Sequence, residues 1–368
     1  MRIAFKDIWR SKLRFGLLAG AVGLLFFLLL FLNTLSSTLL GQFVGAIENG
    51  SSEVLAFSEG SQFIIQTSRL DPALVGAIES VDGVDAAAPI SELTVPAIVA
   101  GETVDVSLWG IEVGSPGTPP ELVEGRLPGA GEVVMDDSSM DLGFVLGESF
   151  TVESTRLTVV GFADDATYSV LPTAYLPNET WAGVFTEAFP QAPFVPVNII
   201  GVAVTDGADP VAVAAAMQAE VAGIEVLDRQ AAADATPGVS SVSQSFGLIV
   251  GITFLIVIVV VGFFFQILTV QKLKSFAVLK AVGASNRTLA ATVASQITLM
   301  VTLGVLVGAA LLAGAAAGTR DVFSIAVDWG LIGVTGLVVL AFSLVTGLFS
   351  IRRIVRADPA EAAMGGAR

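Results

Sequence analysis

Histidine and cysteine are both absent from the 368 residues. Without cysteine there is no disulfide, no thiol nucleophile and no thiolate metal site. Without histidine the commonest general base, metal ligand and haem ligand is missing. A Ser-His-Asp triad cannot be built, and neither a G-x-S-x-G elbow nor a G-x-x-x-x-G-K-[ST] phosphate loop occurs. Charge is scarce as well: 14% of residues are Asp, Glu, Lys or Arg, against roughly 25% in a soluble domain. Any chemistry would fall to carboxylates, hydroxyls, Lys, Arg, Tyr or Met, and the chain reads as non-catalytic, with no intrinsic cofactor and no metal.

What replaces charge is apolar sequence, 54% of the chain, and it is concentrated in four runs. A helix rises about 1.5 Å per residue and a bilayer core is about 30 Å thick, so about 20 apolar residues make a span. The runs 15–40, 246–270, 289–318 and 327–351 meet that length with no ionisable residue away from their ends. The first is longer than the core of about 7–15 residues in a cleaved signal, and no clear A-x-A site follows it, so it is read as an anchor.

Lys and Arg orient the spans. The leader 1–14, the loop 271–288 and the tail 352–368 hold 13 of the 18 basic residues, and four spans put all three on one side, the cytoplasm. Both termini are therefore expected inside the cell. Region 41–245 carries only Arg69, Arg126, Arg156 and Arg229 against 29 acidic residues and is expected outside. It offers no basic groove for phosphates, so nucleic acid is not a partner. A short outer loop, 319–326, joins the last two spans.

Within 41–245, Asp71-Pro72 and Asp209-Pro210 each open a capped helix that leads through a Gly turn to a strand. Between them, from about 100 to 180, short Val/Thr-rich runs broken by Gly and Pro predict a β-rich insertion. The fold class is thus four membrane helices with an α+β extracytoplasmic domain inserted between helices 1 and 2. Asp136-Asp137 and Asp164-Asp165 are read as solvated loop acids. The pairs Gly16/Gly20, Gly41/Gly45, Gly304/Gly308 and Gly314/Gly318 have the spacing that lets helices approach closely, as in a dimer.

The leader alternates basic residues with Ile3, Phe5, Ile8 and Trp9, which suits either a surface amphipathic helix or a plain basic anchor. In the loop 271–288, Phe276, Leu279 and Val282 share one helical face and Gly283 ends the turn. A short helix there, lying across the inner surface, is what a cytoplasmic ATPase would need to push on.

With these features the sequence resembles the FtsX/MacB-type permeases of ABC transporters over essentially its whole length. The resemblance rests on Ile8-Trp9-Arg10-Ser11-Lys12-Leu13-Arg14, the loop from Ala277 to Ser285, the tail Arg356-Ala357-Asp358-Pro359-Ala360-Glu361-Ala362, and Glu124-Gly125-Arg126-Leu127-Pro128 with Gly131-Glu132-Val133-Val134. It implies a homodimer in the lipid bilayer of a bacterial cytoplasmic membrane, with two copies of a separate ABC ATPase, which binds the ATP. It also implies transport by mechanotransmission rather than through a central channel. The ATPase-coupling residues it points to are Leu279, Lys280, Ala281, Val282, Gly283, Ala284 and Ser285.

Thr167-Tyr168-Ser169-Val170-Leu171-Pro172-Thr173-Ala174-Tyr175 with Trp181 is similar to the haem-efflux and DevC-like subgroup. That implies haem as an exported substrate, with Gln42, Phe43, Glu48, Asn49, Gln244 and Phe246 as the binding residues at the outer ends of the first two spans. A signalling permease that activates a cell-wall hydrolase, and a lipoprotein-releasing permease, are the alternative readings.

Overall fold

The computed structural model describes residues 12–271, 278, 282–283, 285–318 and 329–355. The leader up to 11, positions 279–281 and 284 of the expected coupling loop, the outer loop 319–326 and the tail from 356 lie outside them. The chain divides into two units, Leu39–Ser243 and a membrane unit formed by the segments before and after it.

Among the described residues, four helices of the membrane unit are long and apolar enough to cross a bilayer. Helix α1 is Lys12–Glu48, α6 is Val239–Gln271, α7 is Asn286–Gly318 and α8 is Trp329–Val355. Val22, Phe26, Leu29 and Leu30 of α1 are buried in one cluster with Val257 and Val261 of α6, Ile297 and Val301 of α7, and Val339 of α8. Gly304 and Gly308 belong to this packing. A Cβ on either would press on Val22, Phe26 or the Gly23 backbone of α1. Their small size serves a contact inside the chain, whereas Gly16, Gly20, Gly314 and Gly318 face open space.

Two of the helices outrun their expected spans. Helix α1 passes Leu40 and ends at Glu48, and α6 starts at Val239 instead of 246. The stretch Gly16–Glu48 is 33 residues, or ~50 Å, well over the ~30 Å of hydrocarbon. Its last turns belong to the inserted domain.

That domain is built on one ten-stranded sheet in the order β10-β1-β9-β2-β3-β8-β5-β7-β4, with β6 pairing β2 and β7 off this path. Its strands are β1 (Val54–Ser58), β2 (Val84–Val99), β3 (Glu102–Ile111), β4 (Leu122–Gly125), β5 (Glu132–Asp136), β6 (Ser149–Val152), β7 (Thr155–Ala163), β8 (Thr173–Pro177), β9 (Ile199–Val204) and β10 (Ile224–Asp228). The helices are α2 (Leu74–Glu79), α3 (Asn178–Ala188), α4 (Pro210–Glu220) and α5 (Arg229–Ala235).

The two α–β units anticipated from Asp-Pro do share this sheet. Asp209 accepts from the Val211 N–H to cap α4, and Asp71 accepts from the Ala73 N–H ahead of α2. Ile78, Val213 and Met217 of these helices are buried with Val54 and Ile200 of the sheet. The 16-residue strand β2 joins platform to insertion. Val84–Ile90 pairs with β9, and Ser91–Val99 pairs with β3. The change of partner at Ser91 comes ahead of the boundary expected near 100, because one strand carries it without a break.

Candidate functional site

The outer end of α1 is gripped by the loop after β7. Tyr168 and Leu171 exchange both backbone hydrogen bonds, closing a two-residue hairpin over Ser169 and Val170. Both central residues have positive φ, 51° and 66°, as a twisted two-residue hairpin requires. A β-branched residue rarely adopts that backbone, so Val170 is strained there, with its side chain 51% exposed.

The hairpin's N–H groups point away from its own strands and into the helix. Val170 donates to the Gln42 carbonyl at 2.8 Å and Ser169 to the Phe43 carbonyl at 3.1 Å, while the Ala46 N–H donates to the Thr167 carbonyl at 2.9 Å. Asn49 Nδ2 donates to the Asp165 carbonyl, 2.8 Å away, and Thr167 Oγ1 to the Gly41 carbonyl, 3.3 Å away. Five hydrogen bonds therefore join α1 to one short loop. Behind them Val44, Ala46 and Ile47 are buried with Trp109, Tyr168 and Tyr175.

Gly45 makes this approach sterically feasible. A Cβ there would lie 2.4 Å from the Asp165 carbonyl oxygen and 3.1 Å from that of Thr167, and backbone atoms cannot step aside as a flexible side chain can. Gly41, one turn earlier, faces open space. Gly45 of the Gly41/Gly45 pair is thus corrected from a helix-dimer signal to a contact with the chain's own loop.

A buried carboxylate anchors the loop from the other side. Asp136, at the end of β5, is fully buried. It accepts from the Ala166 N–H at 2.7 Å and from the Ser138 hydroxyl. Burial pushes its carboxyl up to about 6, more than these hydrogen bonds hold it down. Asp137 and Asp165 are also raised, first by burial and then by neighbouring carboxylates. The reading of Asp136-Asp137 as a solvated pair is overturned: the side chain that closes β5 points inward, where it satisfies a loop N–H. Among the described residues no three of these acids form a metal-holding group.

Of the expected substrate residues, Gln42 and Phe43 are half-buried and Glu48 and Asn49 exposed at the end of α1, in the inserted domain. Gln244 is exposed and Phe246 half-buried on α6, in the membrane unit. Gln42, Phe43 and Asn49 are brought together by the loop, through backbone carbonyls in the first two cases.

Of the expected coupling residues, Val282, Gly283 and Ser285 are described. The Val282 N–H closes a helical turn on the Val278 carbonyl, and Gly283 follows with φ 98°, the left-handed stop that glycine tolerates. Ser285 then caps α7 by accepting from the Thr288 N–H. Leu279, Lys280, Ala281 and Ala284 lie outside the described residues.

The MacB-like periplasmic core domain family model matches residues 16–220, more than half of the chain, and the FtsX-like permease C-terminal model matches 247–359. The Mycobacterium tuberculosis ABC transporter permease Rv0072 is 25% identical over 365 residues, 98% of each chain. A Staphylococcus haemolyticus protein described as a hemin transport system permease, HrtB, is 20% identical over 373 residues, 100% of this chain and 99% of that one. The solved periplasmic region of MacB from Actinobacillus actinomycetemcomitans aligns with 50% of this chain and 92% of its own, at 14% identity and a TM-score of 0.38.

Two outcomes follow from the grip on α1. Gly45→Ala destabilises the inserted domain by about 1–3 kcal/mol and speeds amide exchange at Ala46 and Val170, while Gly41→Ala leaves both unchanged; hydrogen exchange on the purified chain reads the difference. The second concerns pH. Asp136 titrates at about 6 when folded, against an ordinary aspartate value of 3.8, so between those values the folded state holds a proton that the unfolded chain has released. Its contribution to stability therefore falls as pH rises through that window, by about 3 kcal/mol in all. Thermal unfolding from pH 7.5 down to 4.5 shows the transition rising, and Asp136→Asn flattens the rise.

Proposed function

The chain belongs to the ABC transporter permeases of the FtsX/MacB type, and from that premise we propose that it is the membrane subunit of an exporter, a homodimer worked by two copies of a separate ATPase. The observation that carries this reading is the grip on α1. Helix α1 runs on from the membrane unit into the inserted domain, where its end is hydrogen-bonded to the loop 165–170. A load on its membrane end then has a stiff path into the sheet through β7 and β8, which flank the loop. Such a device transmits movement and needs no catalytic side chain, in keeping with a chain without histidine, cysteine or a phosphate loop.

ATP is hydrolysed on the partner, and residues 279–285 take up its stroke. Val278 and Val282, 64% and 83% exposed, leave apolar surface where a docking partner would cover it. With both termini and this loop in the cytoplasm, the acidic inserted domain works outside.

The cargo we assign is a hydrophobic or amphipathic small molecule, and haem is the specific candidate, supported by the HrtB relative. Both tyrosines of the chain are buried and the methionines lie elsewhere in the sequence, which leaves Glu48 and the amides of Gln42, Asn49 and Gln244 to meet the iron.

A haem titration of the purified chain in nanodiscs, read at the Soret band, tests the cargo. One haem per dimer is expected, with affinity lowered at least about tenfold in Glu48→Ala. Uptake no greater than by empty nanodiscs rejects haem. The coupling assignment is tested with the ATPase reconstituted beside the chain: Lys280→Glu and Gly283→Pro are expected to leave ATP hydrolysis running while export stops, and unchanged export in both rejects it.

A further inference from the structure

A cavity of about 700 Å3 opens on the inserted domain where β2 changes partners. Its walls are chiefly apolar, with Phe185 and Ala188 of α3 and Phe189, Pro190 and Pro196 of the segment that follows. The volume is that of a site for a drug-sized molecule. In its lining sits a carboxylate, Glu92, 4% exposed.

Glu92 is half satisfied. Oε1 accepts from Ser107 Oγ at 2.9 Å and from Thr94 Oγ1 at 3.0 Å. Oε2 is enclosed and accepts no hydrogen bond. Burial raises its carboxyl above the ordinary range, while Ser107, Thr94, the Gln66 amide and the Arg69 guanidinium act in the opposite sense. A buried acceptor left without a partner keeps its desolvation cost unrepaid, the more so when it is charged. Native structures keep few such groups, often for a ligand or at a functional site.

We propose that this cavity binds a small molecule with an apolar body and a protonated amine, the ammonium paired with the Glu92 carboxylate. Two observations select an amine over an alcohol or an acid. A carboxylate can only accept, so the group it lacks is a donor, and a cationic donor gains most in a low-dielectric site. Arg69, on the same wall, commits Nη1 to the Gln66 and Ser68 carbonyls at 2.7 and 2.6 Å, which leaves Nε and Nη2 to an anion, and the butyrate probe below measures that competition. The surrounding domain holds 29 acids against four arginines, so its field draws cations and repels anions.

The site is also wired to α1. Ser107 Oγ, which donates to Glu92, accepts from Trp109 Nε1 at 3.0 Å. The Trp109 ring meets Tyr168 edge-on, with centroids 5.4 Å apart, and Tyr168 opens the hairpin whose N–H groups bind the Gln42 and Phe43 carbonyls. An amine on Glu92 therefore fixes the one charged group in this chain of contacts and steadies the grip on the helix.

The test uses the full chain in nanodiscs and three probes that share one body: 4-phenylbutylamine, 4-phenylbutanol and 4-phenylbutyrate. Calorimetry at pH 7.5 is expected to show saturable binding of the amine, at least about tenfold tighter than of either other probe. Glu92→Gln, which keeps an acceptor for Ser107 and Thr94 and puts a donor in place of the free oxygen, removes that preference. Phe189→Ala, on a ring already 47% exposed, weakens the amine without unsettling the core and carries the test if the first variant misfolds. Equal affinity for the three probes, amine uptake no greater than by empty nanodiscs, or unchanged amine affinity in either folded variant overturns the proposal. None of these outcomes touches the export reading, which the Soret titration and the coupling variants judge separately.

Discussion

Backbone hydrogen bonds between the outer turns of α1 and the loop 165–170 are the constraint on which the arrangement of the inserted domain depends. Near the end of α1 the Ala46 N–H turns to the Thr167 carbonyl instead of to Gln42 one turn back. The Gln42 and Phe43 carbonyls accept in return from N–H groups turned outward by a hairpin whose φ angles suit neither Ser169 nor Val170. Such strain costs of order 1 kcal/mol per residue and persists only where the surroundings over-determine the conformation. They do so from three directions: Gly45 admits the loop to van der Waals contact, Asp136 holds the Ala166 N–H, and Tyr168 is buried against Trp109. Because these bonds join main chain to main chain, the linkage is stiffer than any made by long side chains.

The sheet supplies the other half of that stiffness. Asn198 is its hub, buried to 1% and fully used: Oδ1 accepts from the Glu92 N–H, and Nδ2 donates to the Ile65 and Ser68 carbonyls. It sits beside the point where β2 passes from β9 to β3, the position at which a long twisted strand would most readily bend. Glu92 stands at the same point, and its N–H is the donor that Asn198 Oδ1 holds.

The coarse architecture was legible in the sequence because it is governed by composition and period. Four apolar runs, a basic bias in three short segments and two Asp-Pro openings specify the membrane helices and the α–β units with no knowledge of tertiary contacts. What was not legible depends on which residues meet across the fold. Gly45 was visible as a small residue four after Gly41, but the spacing does not say whether a partner helix or a loop about 120 residues further on fills the space. Asp136 was visible as one of two adjacent acids, and adjacency cannot tell which of the two closes a buried strand. Glu92 lies in the run Ser91-Glu92-Leu93-Thr94, an ordinary alternation for a half-exposed strand. Nothing local shows that α3 and the segment after it cover its polar face. The signal available for the loop was the turn sequence itself, since Tyr-Ser-Val-Leu offers no glycine or asparagine where the hairpin needs positive φ.

The placement of carboxylates follows one logic. Most of the 29 acids in the inserted region are on the surface, where water screens them and they set a negative field. Glu92 and Asp136 are withdrawn from water, and each was given partners for part of its hydrogen-bonding capacity. Asp136 spends its two oxygens on Ala166 and Ser138, which makes it a structural anchor. Glu92 spends one oxygen on two hydroxyls and withholds the other. Burial disfavours the charged form equally in kind at both sites, so the difference lies in completion. A site complete in itself supports the fold, and one that lacks a single donor beside an apolar cavity is organised to receive it from outside.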